Sequence, residues 1–116
     1  MKERFFFRRE NKVTSPRQYS FLFARAKKFN LQSFSFYSYE NRLAISRMGV
    51  VVAKRNQKKA VCRNRTKRIV RESFRCNQHR LLGLDIIIVA RRGVDSMLAE
   101  ELRLELGRAW DRLKTC

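Results

Sequence analysis

The side chains with the most chemistry in this 116-residue chain are concentrated between Lys54 and Arg75, a stretch reading KRNQKKAVCRNRTKRIVRESFR. It holds ten Lys or Arg and a single acid, Glu72. Wound at about 100° per residue, Asn64, Lys67, Arg68, Arg71 and Arg75 gather on one side of a helix. Cys62, Thr66, Ile69, Val70 and Ser73 fall on the other. A charged helix that merely faces water usually alternates sign and gains i,i+4 pairs. Here like charges stack, which is destabilising until an anion neutralises them. Arginine forks hold phosphate oxygens two at a time and lysine holds them as a point charge. The stretch therefore predicts a phosphate-binding surface made of Lys54, Arg55, Lys59, Arg63, Asn64, Arg65, Lys67, Arg68, Arg71 and Arg75. Charge alone does not separate RNA from DNA, but no helix-turn-helix or zinc pattern favours DNA.

Catalysis by the protein's own side chains finds little support. Hydrolysis needs a base, a metal cage or both. The one histidine, His79, follows the basic helix with no assured carboxylate beside it. The three aspartates, Asp85, Asp95 and Asp111, are far apart in the chain. Asp85 begins a strand, and Asp95 is placed to cap the last helix. The expectation is no catalytic residue, no metal ligand and no cofactor bound by side chains alone.

The elements that position the basic stretch follow from length and pattern. One domain with one modest core fits this length, and a hydrophobic fraction of 44% is that of a folded chain. The formal net charge is +18, so self-repulsion opposes compaction and a polyanion relieves it. Residues 1–93 carry 24 basic and 5 acidic side chains, and residues 94–116 carry 4 and 5. The last segment is thus scaffold, and the partner meets the rest. Cys62, Cys76 and Cys116 lack metal-ligand spacing and read as reduced thiols. No segment approaches the ~20 apolar residues of a membrane span, and the Phe5-Phe6-Phe7 run is too short for a signal-peptide core. A protein that stays in the cytoplasm, without a membrane or an obligate protein partner, is expected.

Along the chain, residues 1–13 read as a basic, mobile arm and 14–116 as a single RNA-binding domain. Ser15-Pro16 is a helix start, a hydroxyl cap followed by proline at the first helical position. Tyr19, Leu22 and Phe23 continue it over about 16–27, and by periodicity alone Phe23 belongs to the core. Between Gln32 and Tyr39 the period becomes two, with Phe34 and Phe36 on one face of a strand and Ser35, Tyr37 and Tyr39 on the other. Residues 41–47 read as a turn or loop. Val50-Val51-Val52 marks a second strand within about 47–54, and Ala60 to about Arg80 is helical. Leu84 to Ala90 suits a central strand covered on both faces. Leu98, Leu102, Leu106, Ala109 and Leu113, with Trp110 beside them, form an amphipathic helix that turns its acids to water. The fold class is α+β, a two-layer α/β sandwich of order α-β-β-α-β-α.

The run Lys59-Ala60-Val61-Cys62-Arg63-Asn64-Arg65-Thr66-Lys67-Arg68-Ile69-Val70-Arg71-Glu72 closely resembles the signature helix of the protein subunit of bacterial ribonuclease P. The likeness extends to Ser15–Phe23, similar to that family's first helix, to Arg47–Lys54, and to Asp85–Arg92. The resemblance implies a left-handed β-α-β crossover, against the usual right-handed preference. It implies a ribonucleoprotein in which a large RNA, with magnesium, is the catalyst that removes the 5′ leader of precursor tRNA, an endonuclease reaction. The protein assists it. By the same resemblance Arg63, Asn64, Arg65, Lys67, Arg68 and Arg71 sit on the catalytic RNA, while Tyr19, Phe23 and Tyr37 line a cleft that receives the leader. Aromatic faces stack on bases without demanding a sequence. The family commonly has phenylalanine where Tyr19 stands. A small structural RNA binder, such as a ribosomal protein, is the alternative that composition equally permits.

Overall fold

The computed structural model describes residues 12–13 and 15–114. Three helices and a four-stranded sheet occur in the order α1 (Pro16–Arg25), β1 (Lys27–Asn30), β2 (Phe34–Glu40), β3 (Arg47–Val51), α2 (Ala60–Asn77), β4 (Leu84–Ala90) and α3 (Ala99–Lys114), with single 3-10 turns at Gln78–Arg80 and Val94–Ser96. The expected order gains one strand. β1 escaped sequence reading because Lys27-Lys28-Phe29-Asn30 has a single apolar residue and no alternation to read. It exists because β2 offers it an edge and because Phe29 stacks on Phe36 at 5.0 Å between centroids.

In space the strands lie β1-β2-β4-β3, with β1 and β2 antiparallel, β2 and β4 antiparallel, and β3 and β4 parallel through α2. β4 is central, as its unbroken apolar run predicts. Ile86 and Ile88 point to the face covered by α2 and α3, Ile87 points to the face covered by α1, and all three are fully buried. The main core adds Phe34, Phe36, Met48, Val70, Phe74 and Trp110. A smaller cluster of Val13, Leu22 and Ile87 lies beneath α1.

Local chemistry sets the helix ends. The Ser15 hydroxyl accepts from the Gln18 N–H at 3.1 Å, and the Gln18 side chain accepts from the Ser15 N–H at 3.1 Å. This reciprocal capping box, with Pro16 first inside, starts α1. The helix stops at Arg25, earlier than expected, because Ala26 turns extended to begin β1. Residues 1–11 of the expected arm lie outside the described residues. Its end does not: Lys12 bridges to Met48, the Val13 N–H donates to the Met48 carbonyl, and Val13 is buried.

Three expectations for the C-terminal segment are corrected. Asp95 does not cap α3: it lies in the preceding 3-10 turn and accepts a hydrogen bond from Gln57. Glu101 instead accepts from the Leu98 N–H, and Leu98, assigned to the apolar stripe, is exposed. Nor do all the acids of α3 face water. Glu105 is buried and accepts from the Ser33 and Phe34 N–H groups at 2.9–3.1 Å. Its carboxylate satisfies the backbone where β1 turns into β2, a site that helical spacing cannot reveal. Glu105→Ala leaves those N–H groups buried and unpaired, and is expected to cost about 2–4 kcal/mol in urea denaturation.

Candidate nucleic-acid interface

α2 presents the anticipated face. Asn64, Arg65, Arg68 and Arg71 are exposed, Lys67 and Arg75 are half-buried, and Thr66, Ile69, Val70 and Phe74 form the buried side. Lys54, Arg55 and Lys59, in the segment that leads into the helix, are also exposed. Among the described residues no carboxylate lies within ion-pair distance of Arg65, Lys67, Arg68 or Arg71; the two ion pairs are Arg47–Asp85 and Arg80–Asp111. Arg63 has a different position from its neighbours. Its guanidinium donates to the Gln57 and Lys58 carbonyls at 3.0 and 2.7 Å, so it fastens the turn that starts the helix.

The buried side of α2 holds the charged side in place. Gln57, itself buried, accepts from the Thr66 hydroxyl at 2.7 Å and donates to Asp95 at 3.1 Å, tying α2 to the segment after β4. The Trp110 indole donates to the Ser73 hydroxyl at 2.8 Å, and its ring meets Phe74 edge-on at 6.1 Å. Gln57 was missed by sequence reading because a lone glutamine in a basic turn carries no periodic signal. Cys62 and Cys76 carry free thiols; Cys116 lies outside the described residues.

The aromatic residues converge on the opposite face of the sheet. Tyr19 and Phe23 are 6.2 Å apart between centroids, and Phe23 meets Tyr37 edge-on at 4.8 Å. Phe23 is 43% exposed, which corrects the core reading from periodicity: Leu22, at 2%, takes the core position instead. Lys28, unforeseen because β1 was unforeseen, places its ammonium 5.4 Å from the centre of the Tyr37 ring. The result is a half-open aromatic wall with a cation at its end, suited to bases and a phosphate backbone.

Tyr19 lies directly over Gly49 of β3, where a Cβ would come within 2.3 Å of the phenolic oxygen. Glycine is required there for close approach. Burial raises the Tyr19 phenol above its ordinary value of 10.0, and the nearby Arg71 guanidinium partly offsets the rise. Tyr19 over Gly49, and α2 packed against β3, bring the aromatic wall and the basic helix to the same edge strand. Because the folded phenol has the raised pKa, the stability it contributes is complete below about pH 10 and is lost as pH climbs through the folded value.

The acids and the histidine considered for catalysis are dispersed. Asp85 accepts from Arg47 at 2.6 and 2.8 Å and from Asn41 at 2.8 Å. Asp111 pairs with Arg80, Asp95 accepts from Gln57, and His79 lies in the turn after α2. Among the described residues no three His, Cys, Asp or Glu side chains gather to hold a metal ion, and no helix is long and apolar enough to cross a membrane.

Two outcomes test this geometry. Arg71→Ala removes the cation that lowers the Tyr19 phenol, so ultraviolet titration is expected to show that tyrosine ionising at still higher pH. Gly49→Ala forces the Tyr19 ring outward and is expected to lower the melting temperature, with much of the loss recovered when Tyr19→Leu is added.

A family model described as Ribonuclease P matches residues 7–114. The "Ribonuclease P protein component" of Ectopseudomonas mendocina (strain ymp) is 41% identical over 108 residues, covering 92% of this chain and 81% of the relative. That of Aliivibrio fischeri is 37% identical, covering 92% of both. Among solved structures, the RNase P protein from Thermotoga maritima superposes with a TM-score of 0.78 at 27% identity, over 87% of this chain and 96% of that one. The Staphylococcus aureus RNase P protein shares the fold, with a TM-score of 0.83 at 23% identity over 88% and 94% of the two chains.

Proposed function

Because this chain belongs to the ribonuclease P protein family, a subunit of an endoribonuclease that partners an RNA subunit, we propose that it docks α2 on that RNA and holds the 5′ leader of precursor tRNA on its aromatic wall. One observation carries the reading. Tyr19 sits over Gly49 of β3, and α2 packs against that same edge strand, so the phosphate-binding helix and the base-stacking wall share one border of the sheet. An RNA seated on α2 and a single strand leaving its reaction centre can be held together.

Arg65, Lys67, Arg68 and Arg71, with Lys54, Arg55 and Lys59 before them, neutralise phosphates of the RNA subunit, and each contact releases counterions. Arg63 holds the turn that aims them. Tyr19, Phe23 and Tyr37 stack on leader bases while Lys28 attends the backbone. The chemistry of cleavage belongs to the RNA and the magnesium bound with it; the protein contributes binding energy and charge neutralisation, which lower the magnesium required. The protein's place is the bacterial cytoplasm, where precursor tRNA is made.

Reconstitution with a bacterial ribonuclease P RNA at low magnesium tests this. Cleavage at the mature 5′ end is expected to be restored, with precursor bound more tightly than mature tRNA. Arg68→Ala combined with Arg71→Ala is expected to weaken RNA-subunit binding and to flatten its salt dependence by roughly 0.7–0.9 in slope per lost phosphate contact. Tight RNA binding without any stimulation of cleavage would instead favour a structural RNA-binding role.

A further inference from the structure

Strand order places Gly49, beneath Tyr19, on the β3 edge of the sheet, and Lys28, over Tyr37, on the β1 edge. The aromatic wall thus crosses the whole sheet. It starts on β3, the strand that α2 packs against, and ends at the opposite edge, β1. Lys27 is the neighbour of Lys28 on β1, and strand alternation sends the two side chains to opposite faces. Lys27, in register with Ser38, lines a second cleft of about 500 Å³ where β2 ends and β4 begins. Arg25, Tyr39, Glu40, Arg42 and Leu82 also line it.

Three properties distinguish this cleft from an ordinary surface hollow. Arg80, on its wall, is tied to Asp111, but among the described residues Arg25, Lys27 and Arg42 have no carboxylate at ion-pair distance. Only Glu40 opposes them in the lining. Arg42 has a φ of 60°, a left-handed conformation that glycine adopts freely and arginine does not. The fold enforces it: the Asn41 N–H donates to the Gly83 carbonyl, and the Asn41 side chain binds Ile45, Asp85 and Leu43. Strain retained on a cation at a cleft is a feature of functional surfaces. Finally, Phe21, 44% exposed on the flank of α1 away from Phe23, meets Tyr39 edge-on at 5.2 Å, with the Arg25 guanidinium 5.6 Å from its ring centre.

We propose that this cleft is a second subsite for single-stranded RNA, taking leader nucleotides beyond those on Tyr19, Phe23 and Tyr37 and therefore farther from the cleavage site. The inference rests on the leader-holding reading above. The strand that passes Lys28 rounds the β1 edge and meets Lys27, Arg25 and Arg42, which take its phosphates. Tyr39 and Leu82 of the lining offer apolar surface to its bases, and Phe21 backs Tyr39 from α1.

The test uses the reconstituted holoenzyme and precursors whose leaders are lengthened stepwise, with affinity measured at several salt concentrations. For Arg42→Gly combined with Lys27→Gln, a deficit of roughly three- to fivefold is expected that appears only with the longer leaders, with the salt slope reduced by about 0.7 per lost contact. Arg42→Gly alone relieves the left-handed residue, so an unchanged or higher melting temperature is expected beside its lower affinity, and Arg42→Lys should retain most of the binding. Variants that match the wild type at every leader length overturn the second subsite, as does an equal loss for short leaders. A loss in binding the RNA subunit alone assigns the cleft to that RNA and overturns the leader assignment. A wild-type holoenzyme that binds precursor and mature tRNA equally defeats the leader-holding reading itself, and the subsite with it.

Discussion

Mutual repulsion among the cations of α2 is the constraint around which the molecule is arranged. Arg65, Lys67, Arg68 and Arg71 share a helix with one acid and have no carboxylate partner among the described residues. Such a helix has no reason to persist alone. Helices in proteins owe most of their stability to tertiary packing, and α2 is an extreme case. Ile69, Val70 and Phe74 are buried on its inner side, Gln57 grips Thr66, and Trp110 grips Ser73. The outer side can then stay unpaired, keeping its charge for a polyanion instead of spending it on internal ion pairs.

That division of labour extends through the sheet. β4 is apolar on both faces, so each face can support a different surface. On one, Ile86 and Ile88 anchor the layer of α2 and α3; on the other, Ile87 supports α1 with Leu22 and Val13. The aromatic wall forms on this second side because α1 approaches closely enough to seat Tyr19 on Gly49. A side chain at position 49 would lift the helix end that brings the wall to the β3 edge. Both surfaces thus depend on one central strand and on one missing Cβ.

Three polar clamps compensate for a small core under electrostatic stress. Glu105 closes the backbone between β1 and β2, Asp85 joins Arg47 to Asn41 across β3, β4 and the loop before β3, and Gln57 links α2 to the segment after β4. The Glu105 and Asp85 carboxylates are committed to partners within the fold, so neither is left to neutralise the basic surface. Of the five acids of residues 94–116, four are held by partners within the fold: Asp95 by Gln57, Glu101 by the Leu98 N–H, Glu105 by the Ser33 and Phe34 N–H groups, and Asp111 by Arg80.

Local pattern alone determined a good deal of this protein. The basic face of α2, the Ser15-Pro16 start of α1, the alternating Phe34 and Phe36, and the two-sided apolar β4 each follow from period and charge, since those signals are carried by residues a few positions apart. The motif from Lys59 to Glu72 pointed to the family for the same reason. Tertiary structure decided the rest. β1 is a strand only because β2 provides an edge, Phe23 is on a cleft and not in the core because Leu22 occupies the core position, and Asp95 serves Gln57 instead of a helix end. Glu105 faces inward because backbone N–H groups 72 and 71 residues away in sequence need an acceptor. Whether the aromatic wall and the basic helix meet was likewise undecidable from order in the chain. Tyr19 and the basic helix come to the same border only because α1 and α2, on opposite faces, both pack on the edge strand β3.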